Sequence, residues 1–191
     1  MLRTLTFALA FLFLAFGARA ETFAFTAQGF SLKAPDGWRV IPVGDAVRMV
    51  ERSDFGDELK RAGNPASQLL AVAREIPVDG VSPGVFVNYH AGTISDIGVG
   101  LDRVSQILAR NLREFQMLQP PTLTRLGTYE AGRIQYRYTT EVGAGDAVVI
   151  ETFWLIPDGD HYATISGGLA PKDEATAQPL IEAMARSMKP L

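Results

Sequence analysis

The chain has 191 residues, 47% of them hydrophobic and 20% charged, the profile of a folded globular protein and not of a disordered one. It holds no cysteine, which excludes disulfides, thiolate metal sites and a cysteine nucleophile. Its formal net charge of -3 argues against nucleic acid as a partner, because phosphate binding wants a basic surface. In chain order, residues 1–20 read as a secretory signal peptide. Arg3 gives the positive start, Leu5 to Phe16 the apolar middle, and Ala18 and Ala20 the small residues of a cleavage site. The apolar run is shorter than the roughly 20 residues that a membrane span needs. Residues 21–191 then form one domain, periplasmic or secreted, with the net charge moved to -5 by loss of Arg3 and Arg19. Glu21 stands where lipid attachment would need a cysteine, so the expected protein is free of a lipid anchor.

From Thr22 the apolar residues alternate as in a half-buried strand: Phe23 and Phe25, then Phe30 and Leu32. Pro35-Asp36-Gly37 is a turn, with proline presetting the bend. Trp38–Ile41 and Ala46–Val50 read as short strands. Ser53–Ser67 breaks every pattern and reads as an exposed loop. A stretch of that length is either a lid or partner contact, or a plain insertion. Gln68–Ile76 is apolar on both faces in its middle, as a strand covered on two sides would be. Val85–His90 is a further strand.

Leu101, Val104, Leu108, Leu112 and Phe115 recur at helical spacing, and Pro120-Pro121 is the expected stop. An antiparallel meander follows. Its strands are Thr122–Tyr129, Arg133–Val142, Ala147–Ile156 and His161–Gly167. Its turns are Glu130–Gly132, Gly143–Asp146 and Pro157–Asp160. Pro171–Ala177 reads as a separate turn or short helix. A closing helix starts at Pro179, where the missing N–H is harmless, and carries Leu180, Ile181, Met184 and Met188 as its stripe. Strands, helix, strands, helix, joined mostly by short hairpins, give an α+β chain: one antiparallel sheet with helices on its faces.

Few residue groupings carry chemistry. Asp158, Asp160 and His161 offer oxygens and one imidazole, but Pro157-Asp158-Gly159-Asp160 is what a tight hairpin turn asks for. Ser166-Gly167-Gly168 is the nearest fragment to a nucleophile elbow and lacks its spacing. Gly98-Val99-Gly100 precedes a helix without the third glycine of a phosphate cradle, since position 103 is arginine. No metal and no cofactor is expected. Arg103, Arg110 and Arg113, at spacings of seven and three, lie along one helix side, where they either meet an acidic partner or lipid headgroups or simply solvate. Trp38 and Trp154 belong to an aromatic set that packs a core or lines a small-molecule pocket.

The segment Phe30–Trp38, the mid-chain amphipathic helix, the hairpin Phe153–Ser166 and the closing helix together resemble the α/β/α sandwich of the PsbP-like proteins. That group includes the extrinsic PsbP subunit of photosystem II, a Ran-binding nuclear import factor and the DcrB-like periplasmic proteins. The photosynthetic docking residues and the DcrB lipoprotein cysteine have no match here. The resemblance implies a domain that binds protein partners and performs no reaction, which is an argument from fold alone. A carrier of a small apolar ligand and an unrecognised hydrolase are the alternatives. Arg103, Arg110, Arg113, Trp38 and Trp154 are the expected partner or ligand contacts.

Overall fold

The computed structural model describes residues 20–42, 44–46, 48, 55, 67–75, 80–143 and 145–191. Residues 1–19 of the expected signal peptide and most of the expected Ser53–Ser67 loop lie outside them. The strands are β1 (Thr22–Phe25), β2 (Phe30–Lys33), β3 (Arg39–Val40), β4 (Gln68–Ala73), β5 (Gly84–Ala91), β6 (Arg113–Leu126), β7 (Tyr129–Val142), β8 (Gly145–Asp158), β9 (His161–Leu169) and β10 (Lys189–Pro190). Helix α1 spans Ile97–Asn111, and α2 spans Glu174–Arg186 after a 3-10 turn at Pro171–Asp173. Among the described residues the strands make two antiparallel sheets rather than the single one expected. The larger runs β3-β4-β5-β9-β8-β7-β6 and the smaller β1-β2-β10. The smaller sheet depends on Lys189 and Pro190 returning to pair with Ser31 and Phe30, a long-range pairing that local pattern does not carry.

The large sheet is covered on both faces, which gives the α/β/α sandwich. Along β8, Ile150, Trp154 and Ile156 point to one face and Val149, Phe153 and Leu155 to the other. Helix α2 lays Ile181, Met184 and Ala185 on the first face beside Phe30 and Leu32 of the small sheet. Helix α1 lays Leu101 and Leu108 on the second. Each helix sits over a glycine. A Cβ on Gly132 would come 2.5 Å from Ile97 and Leu101 of α1, and one on Gly167 would fall inside the γ-methyl of Ile181 of α2. A bare backbone at those two points lets the helices settle close to the sheet. Strand β4 divides likewise, with Leu70 and Val72 in the α2-side core and Ala71 and Ala73 packed with Ile41 and Ala46.

Four sequence expectations are corrected. Ala46 is helical, with Gly44 and Asp45, and does not open a strand. Helix α1 stops at Asn111, its cap N–H bonding back to Leu108, and Phe115 belongs to β6. Phe115 and Met117 alternate on the α1-side core, a period-two signal that a helical stripe of five residues masks. Glu114 makes the break with φ of 50°, rare for a residue with a side chain, and its carboxylate accepts from Thr139 Oγ1 at 2.6 Å. Pro120 and Pro121 therefore lie inside β6, which tolerates them because it is the sheet edge and bulges between Gln119 and Thr122. The turn after β6 is Gly127-Thr128, not Glu130–Gly132. Gly127, with φ of 59°, takes the first central position of a two-residue hairpin, where glycine is favoured. Finally, α2 begins at Glu174 and encloses Pro179. Burial of Ala177, Ile181, Met184 and Ala185 outweighs the roughly 3 kcal/mol that an interior proline costs a helix.

Candidate binding cleft

Register brings together residues far apart in sequence at the β6–β7–β8 end of the α2 face. Arg133 of β7 is the direct cross-strand partner of Trp154 of β8, and its guanidinium lies 6.0 Å from the indole centroid, at the outer limit of a cation–π contact. Trp154 itself is only 2% exposed and forms the floor. From α2, Glu182 accepts from Arg133 at 3.1 Å and from Arg186 at 2.9 Å. Gln178 donates to Glu182 at 3.2 Å and to Thr152 at 2.9 Å, while its own carbonyl is buried without a partner. Gln119 of the edge strand accepts from Arg133. Gln119, Arg133, Trp154, Glu182 and Arg186, with Arg125, Thr124 and Leu126, wall a cleft of about 260 Å³. Partial burial pushes the Glu182 carboxyl up. The Gln178 hydrogen bond and the charges of Arg133 and Arg186 outweigh this and hold it below its ordinary range. Glu182 is thus an anion set between two guanidinium groups, with that of Arg125 also in the lining, and the cleft is cationic and polar rather than apolar.

On the opposite face Glu151 shows the reverse. Its carboxyl takes hydroxyl hydrogen bonds from Tyr136, Tyr138 and Ser166, with Tyr138 at 3.2 Å. Burial outweighs those bonds and pushes the group up from its ordinary value. Its partners are three hydroxyl groups and not a cation, and Tyr136 is buried beside it.

A third cluster sits at the β8–β9 hairpin. Tyr89 donates to Asp158 at 2.6 Å, and partial burial together with that carboxylate pushes its hydroxyl up to about 12. His161 stacks on Tyr89 with centroids 5.1 Å apart and pairs through Nδ1 with Asp160 at 2.6 Å. His90 stacks on Tyr162 at 4.9 Å, and burial pushes its imidazole down. Asp158, Asp160 and His161 thus bond to separate partners or to each other within a turn. Among the described residues no group of three or more His, Asp or Glu side chains could hold a metal ion.

The residues picked from sequence are not one site. Arg103 and Arg110 are exposed on α1. Arg113 is on β6, not on the helix, and pairs with Asp146 at 2.7 Å and Glu141 at 3.4 Å, so the expected three-arginine helix side does not form. Trp38 packs half-buried against the α2-side core, which includes Trp154, but does not line the cleft as Trp154 does. Arg125, Arg133, Glu182 and Arg186, which line the cleft, carry no sequence signal that marks them. Arg133 alternates with Ile134 on a strand and so reads as solvent-facing. Only the β7–β8 register and the docking of α2 turn it to Trp154.

No family model matches the chain, and no curated protein matches it by sequence. Solved structures do. Cyanobacterial PsbP (CyanoP) from Synechocystis sp. PCC 6803 is 14% identical, with a TM-score of 0.54 over 91% of this chain and 94% of that one. LpqN of Mycobacterium tuberculosis, described as involved in cell envelope biogenesis, is 16% identical, with a TM-score of 0.53 over 89% of this chain and 84% of that one. PA94 of Pseudomonas aeruginosa, a putative regulator of unknown function, is 10% identical, with a TM-score of 0.51 over 90% of this chain and 97% of that one. At these identities the likeness shows the fold, and the fold is PsbP-like.

Proposed function

We propose that the chain is an exported, non-catalytic binding domain that acts through protein contacts at the Arg133–Trp154–Glu182–Arg186 cleft. The cleft carries the reading. It is open and cationic, and it is built on three strands and a helix whose positions the core fixes. Its walls offer a partner guanidinium groups and no group poised to make or break a bond. A charged wall suits an acidic protein surface better than an apolar small molecule, which would leave Glu182 and Arg186 without water. The two histidines are each held against a tyrosine ring, which favours a packing role over a relay to a hydroxyl. Export rests on residues 1–20, and the fold shared with an envelope-biogenesis protein is compatible with it.

A photo-reactive residue placed at Arg186 in living cells tests the reading, with the same residue at exposed Asp102 on α1 as control. The expected result is a discrete set of crosslinked extracytoplasmic proteins from position 186 and none from position 102. Equal crosslinking from both, or from neither, would refute it. N-terminal sequencing of the protein should find Glu21 first.

A further inference from the structure

Resting on that binding reading, we infer that the partner docks as an added β-strand on the outer edge of β6, and that its docking segment alternates acidic and apolar side chains. β6 is the last strand of the larger sheet, and among the described residues only β7 pairs with it. Its ladder closes in the two-residue turn Gly127-Thr128. In such a ladder Leu126 and Tyr129 exchange backbone hydrogen bonds, and so do Thr124 with Ala131 and Thr122 with Arg133. The N–H and C=O groups of Arg125 and Leu123 then point off the sheet, a row that another extended chain can complete. Pro120 and Pro121 lack an N–H and confine the receptive stretch to Thr122–Leu126.

The two sides of this edge differ in chemistry. On the α1 side, Leu123 is 74% exposed and shares a hollow of about 270 Å³ with Ile97 and Ala131, with Glu130 at its rim. On the α2 side lies the cationic cleft of Arg133 and Arg186. Arg125 lines both. Successive side chains of an added strand point to opposite faces, so one set meets Leu123 and Ile97 while the other meets guanidinium groups. Acidic and apolar residues in alternation satisfy both. A second copy of this chain does not. From Phe115 to Leu126, β6 holds no acidic residue, and self-pairing would bring Arg125 of one copy to the cleft of the other.

The test is titration of isotope-labelled protein, residues 21–191, with a capped synthetic peptide of alternating Glu and Val. Controls are alternating Lys and Val, and the Glu and Val residues in two separate blocks. The Glu/Val peptide should protect the Leu123 and Arg125 amides from exchange and bind about tenfold more tightly than Lys/Val. Leu123→Pro removes the outward N–H and should abolish binding. Leu123→Glu keeps that N–H but spoils the apolar side and should weaken binding about tenfold, which guards against a proline variant that fails to fold. Arg186→Gln should weaken it about threefold. Equal binding of Lys/Val or of the block peptide, protection elsewhere, or no binding would each overturn the inference. So would a protein dimer that Leu123→Pro dissolves, since the occupant would then be a second copy. If no peptide binds while crosslinks still form from position 186, the strand mode fails and the binding-domain reading stands.

Discussion

The two faces of the large sheet are built from the same chemistry and bury their acids in opposite ways. On the α2 face, Glu182 lies between Arg133 and Arg186 and is held in its charged form. On the α1 face, Glu151 is surrounded by hydroxyl groups and is pushed toward its neutral form. The difference is the supply of cations. Hydroxyl donors soften the burial of a carboxylate, but only a countercharge reverses its effect. The faces differ in the same sense in packing. The α2 side joins a helix, the small sheet and the sheet face into one apolar cluster, while α1 covers its own smaller one.

The largest effect should come from the larger cluster. Ile181 is fully buried there, and Ile181→Ala should lower unfolding free energy by about 4 kcal/mol, read from urea denaturation. A loss under about 1 kcal/mol would mean that α2 is not a structural part of the core. The two helix-seating glycines sharpen the contrast. Gly167→Ala forces the stiff, branched Ile181 to move and should cost about 2–3 kcal/mol. Gly132→Ala meets the equally stiff γ-methyl of Ile97 and the Leu101 side chain at 2.5 Å, a less severe approach than the 2.2 Å at Ile181, and should cost about 1–2 kcal/mol. A larger cost for Gly132→Ala than for Gly167→Ala would reverse the order that these approaches set.

The pH response follows from the two acids. Glu182 has its folded value lowered, so it contributes stability above its ordinary 4.5, and this is lost as pH falls through the folded value. Glu151 has its folded value raised. Its contribution is present below 4.5 and is lost as pH rises through the folded value. Glu151→Gln should therefore stabilise the protein at about pH 7 relative to its effect in acid, and Glu182→Gln should destabilise it most at neutral pH and least in acid. Denaturation midpoints across pH that shift the same way for both variants would contradict the comparison. The smallest effect belongs to the strand-borne Arg113. Its pairs with Asp146 and Glu141 are solvent-exposed, and Arg113→Ala should change stability by no more than about 1 kcal/mol.

Much of the strand layout was readable because alternation and turn chemistry are local. Gly159 in the β8–β9 turn, the two-faced pattern of β8 and the stripe Ile181, Met184 and Met188 needed no partner to be recognised. The failures share a cause. The helix ends at Asn111 because Arg113 pairs with Thr139 across a ladder and Glu114 bends the chain into it, neither of which a local stop residue announces. Pro121 sits in a strand because that strand is an edge, and Pro179 sits in a helix because the residues around it are buried. The cleft was the least legible part. Trp154 was singled out from sequence, but the arginines and the glutamate around it were not.

Read alone, the chain shows which segments alternate, where most turns fall, and that without cysteine it must be held together by its core. These follow from local sterics and from the distribution of apolar residues. The tertiary structure alone decided the second sheet, the edge position of β6 and the meeting of Arg133, Trp154, Glu182 and Arg186. Those depend on which strands pair and in what register, and a shift of one residue would turn Arg133 and Trp154 to the other face.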